Sequence, residues 1–398
     1  MTMTRLILLQ ILLLGIPTIT AAESPLTIRI ATYNVSLQRN EPGKLLRDLQ
    51  SGTHRQARQI AEVIQRVKPD ILLLNEFDYD QEGRALDLFE QLYLGQVQQN
   101  QQPVKFTHRY IGPVNTGRPT RFDLNRDGQF DGPADAVGFG HHEGQYGMAL
   151  LSKFPISVGQ VRTFQQFLWA DMPGALLPVN PSDQSSYYSP EELQVLRLSS
   201  KSFWDLPILI GRPSEPVRSL HLLCAHPTPP VFDGPEDRNG RRNHDELRMI
   251  ADYLDPQNSD YLVDDEGQPG GLQESCSFVI AGDLNADPID GDSLPGAIDQ
   301  LLTHRRVDSS WTPSSTGSPS SPSKPLQHDS SQRGNPAHHT ASFGKNKRRN
   351  YRIDYLLPSR DLVVVNGGVF WPHPGEPGRE AVTASDHRLV WLDIHWRQ

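Results

Sequence analysis

Val279-Ile-Ala-Gly-Asp-Leu-Asn-Ala-Asp-Pro288 is an apolar run that stops at a glycine and then offers two polar side chains two positions apart, Asp283 and Asn285. A strand pattern closed in this way places alternate side chains together at the rim of a sheet. The design recurs to either side. Thr27 to Asn34 ends in Asn34, Asp70 to Glu76 in Glu76, and Ser219 to His226 in His226. Asp386-His387 stands before the run Leu389 to Ile394, and Arg352-Ile353-Asp354-Tyr355 is a sixth such stretch. Amide, carboxylate and imidazole groups on strand ends are what holds a hard divalent cation, orients a water and stabilises a phosphoryl oxyanion.

Between these strands the period changes. From His54 to Val67 the apolar residues Ala57, Ile60, Ala61, Ile64 and Val67 fall at helical spacing, and Pro69 closes the element before Ile71 to Leu74. A second helix is predicted over Asp245 to Leu254, with Asn243 as a cap and Leu247, Ile250, Ala251 and Leu254 inward. Alternating strands and helices predict α/β layers. Gln96 to Ser214 is long and rich in Pro and Gly, and reads as containing insertions between core strands. Thr312 to Asn335 is a Ser- and Pro-rich loop with no core of its own. Neither stretch has the pattern of a separate domain, so residues 23 to 398 read as a single catalytic domain.

Taken in order, Tyr33-Asn34, Asn75-Glu76, Ala225-His226-Pro227, Gly282-Asp283-Leu284-Asn285, Arg352-Ile353-Asp354-Tyr355 and Ser385-Asp386-His387 resemble the signature of the endonuclease/exonuclease/phosphatase superfamily. That superfamily includes deoxyribonucleases, abasic-site endonucleases, sphingomyelinases and inositol polyphosphate phosphatases. The resemblance runs from about Thr27 to Ile394. His226-Pro-Thr-Pro-Pro230, running on to Asp237 through Asn243, is similar to a secreted bacterial branch. The resemblance implies a four-layer sandwich, two mixed β-sheets packed face to face with helices outside. It also implies Mg²⁺ or Mn²⁺ at Glu76 with the amide of Asn34 beside it, Asp386 holding the metal or its water, and Asp354 pairing with His387.

His387 is the natural proton acceptor, because imidazole titrates near neutrality and can take a proton from a water attacking phosphorus. Asp283 can orient that water and Asn285 can donate to a phosphate oxygen, although either residue alone could be a turn. His226 as an imidazolium could donate to the phosphate or protonate the leaving oxygen; the alternative is a loop histidine held by rigid prolines. Arg238, Arg241, Arg242 and Asn243 precede a helix and suit a phosphate, or else they are surface charge paired with Asp237 and Glu246. Asp123, Asn125, Asp127, Gln129 and Asp131 alternate as in a calcium loop with Gly128 at its turn, but position twelve is Ala134 rather than Glu. That stretch is either a structural Ca²⁺ site or an Asp-Gly turn. His338-His339 reads as part of a polar loop.

A hydrophobic fraction of 36% over 398 residues is ample for a packed core and excludes disorder of the whole chain. The formal charge of −9 disfavours a protein that coats nucleic acid, yet a local basic cleft can coexist with an acidic exterior. Arg5, the apolar run Leu6 to Ile16 and Thr20-Ala21-Ala22 read as a signal peptide over residues 1–22, so a secreted or periplasmic protein is expected. No later segment is long enough to insert stably in a membrane. If the strands carrying Cys224 and Cys276 run parallel to one rim, their sulfurs lie roughly 16 Å apart, and both are expected as free thiols. The composite expectation is a metal-dependent phosphoesterase, first a phosphodiesterase of nuclease type. Second is a phosphomonoesterase or lipid-headgroup hydrolase, and third a silent binding module. Its partner is a phosphoester substrate, with nucleic acid one candidate, and no protein partner is implied.

Overall fold

In chain order the strands of the computed structural model are β1 (Ile28–Leu37), β2 (Ile71–Phe77), β3 (His108–Ile111), β4 (Met148–Ser152), β5 (Arg162–Thr163), β6 (Phe203–Ile210) and β7 (Arg218–Ala225). They continue with β8 (Ser277–Asp283), β9 (Ala341–Phe343), β10 (Arg349–Tyr351), β11 (Asp354–Pro358), β12 (Leu362–Val369) and β13 (Val390–Trp396). The described residues are 25–212, 216–317, 332–344 and 349–397. The signal-peptide reading over residues 1–22, and residues 318–331 of the Ser/Pro-rich stretch, lie outside them. Among the described residues no helix is long and apolar enough to cross a membrane.

Two mixed sheets result. One has the order β12-β13-β1-β2-β4-β3 and the other β11-β8-β7-β6-β5, with β9 and β10 as a separate ribbon. Period-two patterning sorts the side chains of each strand between two cores. Ile30, Leu73, Leu150, Leu206, Leu222, Val279, Leu356 and Leu392 fill the space between the sheets, each at most 2% exposed. Burial of such a side chain contributes about 1.5–3 kcal/mol, which makes this layer the main fastening between the sheets. The opposite faces carry helices. Ala57, Ile60, Ala61 and Ile64 of the helix Arg55–Val67 pack on Tyr33, Leu72 and Leu74, while Leu247, Ile250 and Tyr253 of the helix Arg238–Tyr253 pack on Leu223, Phe278 and Ile280. The order helix, sheet, sheet, helix is the expected four-layer sandwich.

Gln96 to Ser214 holds the core strands β3, β4, β5 and β6 with irregular stretches between them, whereas two local expectations are corrected. The second long helix begins at Arg238 behind a left-handed Asp237, so Asn243 is an interior, fully buried residue and no cap. Cys276 lies just before β8 rather than within it. Leu220 pairs with Ser277 and Cys224 with Ala281 on parallel strands, which keeps the two thiols apart, and both are free.

Candidate active site

β1 and β2 are parallel, as are β7 and β8, so the carboxyl ends of four strands point to one rim. The register carries the polar ends into line. Asn34 lies beside Asn75, Ala225 beside Gly282, and Asp283 opposite Asp354 at the start of antiparallel β11. Gly282 is required here. Its φ is +149°, and a Cβ on it would stand 1.9 Å from the carbonyl oxygen of Ala225. Glu76 and Asn285, with φ of +56° and +53°, hold the left-handed conformation that costs a side-chain-bearing residue about 1–3 kcal/mol. The buried amide of Asn75 ties the two sheets together at this rim, its Oδ1 accepting from Thr32 Oγ1 at 3.3 Å and from the Asp283 N–H at 3.3 Å.

Asp283 is the hub. Its Oδ2 accepts from Asn34 Nδ2 at 3.0 Å and lies 3.5 Å from His226 Nε2 and 3.6 Å from His387 Nε2, while Oδ1 accepts from the Asn285 N–H. Burial pushes its carboxyl up to about 7, partly offset by His387. His387 is buried, with Nδ1 3.0 and 3.1 Å from the two oxygens of Asp354. Burial alone would strip its proton, but Asp354 and Asp283 outweigh it and hold the imidazole well above its ordinary value. Phe343 packs edge-on against the ring at 5.5 Å. His226 differs. Burial, with Lys201 and His387 nearby, keeps it well below the usual range, which favours the neutral ring over an imidazolium. Its Nδ1 is buried with no partner among the described residues.

Glu76 closes the other side. Its carboxyl is raised first by burial and lowered by His387 and by a hydrogen bond with Asn34. Among the described residues it has no ion-pair partner, and a half-buried carboxylate without one is a group that a cation completes. Asp386 is exposed beside it and accepts from Ser36 Oγ at 2.9 Å. Glu76, Asn34 and Asp386 offer only hard oxygen donors, which fit Mg²⁺ or Mn²⁺. A tighter cluster, with one ligand atom each from Asp283, Asp354 and His387 within 4.8 Å, is less apt for a metal. Both oxygens of Asp354 already accept hydrogen bonds, so that set is better described as a proton relay.

Two residues missed in the sequence stand in this site. Lys201 precedes β6 and is 6% exposed; its ammonium makes no hydrogen bond or ion pair among the described residues, yet it senses Glu246, Glu76 and Asp283 electrostatically. Burial lowers its pKa. Asp78 accepts from the Arg39 and Tyr146 N–H groups at 2.8 and 3.2 Å and so seats the loops flanking Glu76, with burial lifting it to about 6. A single Lys in Ser-Ser-Lys-Ser and an Asp after a strand carry no motif. Only the fold brings them in.

Other candidates do not converge. Arg242 is half-buried, and its guanidinium donates to the carbonyls of Leu198, Val137 and Arg197, so it is a structural bolt and not a phosphate ligand. Arg238 pairs with Glu236. Arg241 has a buried Nε without a partner and is drawn electrostatically to Asp237. Asn243 Nδ2 donates to Thr228 O and Leu284 O, joining the His226 loop to the Asp283 turn instead of binding an anion. Asn285 commits one amide hydrogen to Pro227 O at 3.1 Å and keeps the second. In the calcium-like loop, Asp123 accepts from the Asp127 and Gly128 N–H groups, and Asp127 from Gln129 N–H and Asn125 Nδ2. Its carboxylates serve their own backbone, Gln129 and Asp131 are exposed, and among the described residues no three acids of the loop bring an oxygen each within 4.8 Å of one another. A cavity of about 200 Å³ lined by Lys68, Lys105 and Lys153 lies near the opposite end of β2 from Glu76 and holds none of these groups.

Residues 31–387 match the family model described as Endonuclease/Exonuclease/phosphatase family. No curated protein sequence matches the chain. Similar solved structures include an endonuclease/exonuclease/phosphatase from Beutenbergia cavernae, 17% identical with a TM-score of 0.49, covering 93% of this chain and 72% of that one. Sphingomyelinase C from Streptomyces griseocarneus is 13% identical, TM-score 0.44, over 92% and 99%. The human Nocturnin catalytic domain with bound sulfate is 14% identical, TM-score 0.44, over 94% of each chain.

Proposed function

The chain belongs to the endonuclease/exonuclease/phosphatase family, whose members hydrolyse phosphoester bonds with divalent metals, and on that premise we propose that it is a phosphodiesterase. The observation that carries this reading is His387 held between Asp354 on Nδ1 and Asp283 on Nε2, with Glu76 beside them. Glu76, Asn34 and Asp386 are the residues that would hold the cation, which supplies positive charge to a phosphoryl oxygen. Asp283 orients the attacking water, and His387 takes its proton at Nε2 while Asp354 stabilises the imidazolium. The carboxylates around His387 hold its pKa up, and a cation at Glu76, Asn34 and Asp386 would offset their charge and leave Nε2 unprotonated. The free hydrogen of the Asn285 amide, the ammonium of Lys201 and the N–H of neutral His226 meet the developing charge on phosphate. Lys201 also favours a second reading, a phosphomonoesterase, because an extra cation suits a dianionic substrate.

The test is hydrolysis of bis(p-nitrophenyl) phosphate, DNA, sphingomyelin and p-nitrophenyl phosphate, with Mg²⁺ or Mn²⁺ and with chelator. Diester turnover that chelator stops and Glu76→Gln abolishes is the expected result. Turnover of the monoester alone overturns the diesterase reading, and metal-independent turnover overturns the mechanism. The reading includes export after removal of residues 1–22. Amino-terminal sequencing of the protein recovered outside the cytoplasm should begin just after Ala22.

A further inference from the structure

Thr340 follows His338-His339, which read in the sequence as part of a polar loop, yet it is 2% exposed and every polar group it has is engaged. Its N–H donates to Tyr351 O at 2.7 Å, and its carbonyl accepts the N–H of Arg388, the residue after His387, also at 2.7 Å. Ser342 N–H continues the pairing to Asp386 O at 2.8 Å, so β9 runs alongside the His387 segment, with Ala341 opposite His387. Its hydroxyl faces the other partner. Oγ1 accepts the N–H groups of Ile353 and Asp354 at 3.1 and 3.0 Å and donates to Asp354 Oδ2 at 2.7 Å.

A hydroxyl has one hydrogen and two lone pairs. With both lone pairs occupied by backbone N–H groups, the hydrogen has two acceptors in reach, Tyr351 O at 3.5 Å and Asp354 Oδ2 at 2.7 Å, and the short, charged contact to the carboxylate prevails. We propose that Thr340 is a positioning residue of the phosphoester-cleaving site, a fixed-direction donor that sets the Asp354 carboxylate against His387 Nδ1. This rests on the role given to the Asp354–His387 pair under the proposed function. Thr340 touches no substrate. It acts through Asp354 on one side and through the backbone after His387 on the other, and so fixes the two halves of the pair, which lie 33 positions apart in sequence, relative to each other. Small errors in such a pair reduce the rate without weakening substrate binding.

The experiment compares Thr340→Val, which keeps the shape and loses the hydroxyl, with Thr340→Ser, which keeps the hydroxyl and loses a methyl. Both are made in the full chain, alone and in a His387→Ala background. Turnover of bis(p-nitrophenyl) phosphate is measured together with the low-field proton signal of the His387 Nδ1–H. Thr340→Val is expected to turn over roughly 10- to 100-fold more slowly with KM changed little. Near-complete rescue by Thr340→Ser is expected, and no further loss from Thr340→Val once His387 is Ala. The low-field signal persists in Thr340→Ser and shifts or broadens in Thr340→Val. An unchanged turnover rate in Thr340→Val overturns the proposal, and so does an equal loss in the His387→Ala background or failure of Thr340→Ser to rescue. If Thr340→Val does not fold, Thr340→Ser still decides, because a fall comparable to that of His387→Ala rules out a role carried by the hydroxyl. If the wild type cleaves no phosphoester, the functional reading fails by itself, while the proton signal still reports whether Thr340 sets the pair.

Discussion

Asp354 and His387 are joined by a buried hydrogen bond of about 3.0 Å, and their effects on rate should reflect a single unit. His387→Ala should lower turnover roughly 10²- to 10⁴-fold. Asp354→Asn should cost nearly as much, because an amide can impose the other tautomer and removes the charge that favours imidazolium. In a double-mutant cycle on the turnover rate the two losses should not add, and additive losses would separate them mechanistically. Lys201→Met predicts a different signature. Removing a cation that hydrogen-bonds an anionic substrate costs about 1.5–3 kcal/mol, roughly a 10- to 100-fold fall in kcat/KM. Unchanged kcat/KM for the diester would place Lys201 outside the substrate's reach. Legibility at this scale followed local pattern. Residues that end an apolar run, such as Asp283, Glu76 and His387, announced themselves, whereas Lys201 and Thr340 have no neighbours in sequence that mark them. Their surroundings are made by strands far away in the chain. Arg242 shows the converse, a basic cluster that looked like an anion site until the carbonyls around its guanidinium were in place.

Among elements, β6 and β7 carry a second histidine pair on the face turned toward the helix Arg238–Tyr253. His221 Nδ1 lies 2.7 Å from Asp205 Oδ1, and Tyr253 Oη donates to Asp205 Oδ2 at 2.6 Å. Burial would lower the His221 pKa, but hydrogen bonds to Asp205 and Cys276 prevail and push it up to about 9. A folded pKa above the unfolded value of about 6.5 stabilises the fold fully below about pH 6.5, and that contribution disappears as pH rises through about 9. It should amount to about 1–3 kcal/mol. Urea midpoints between about pH 6 and 10 should fall in the wild type by more than in His221→Gln, and equal slopes would remove the pair from the stability of this layer. The β7–β8 contact gives a sharper test, since Gly282→Ala drives a methyl into the Ala225 carbonyl. A loss of about 2–4 kcal/mol in urea unfolding is expected. The strands and the long first helix were readable because periodicity is a local property. The ribbon β9–β10 and the early start of the second helix were not, the first being held by pairing to a distant segment and the second having a left-handed Asp237 in place of a recognisable cap.

For the whole molecule, the cation site implied at Glu76, Asn34 and Asp386 joins β1, β2 and the segment before β13. Loading it should stabilise the fold by mass action, by roughly 2.7 kcal/mol at a hundredfold excess over Kd. Calorimetry should show a rise of several degrees in Tm with Mg²⁺ or Mn²⁺ and almost none in Glu76→Gln; an equal rise in both would move the ion elsewhere. The sheet order adds another consequence. β1 sits between β2 and β13, with Ile28 opposite Ile394, so the strand made early in synthesis waits for the one made late. Asn34 and His387 come from these two ends of the chain. A polypeptide whose β13 has not yet docked therefore lacks one neighbour of β1 and has not brought His387 to Asp283, so on the proposed mechanism it cannot cut a phosphoester until that late pairing is made.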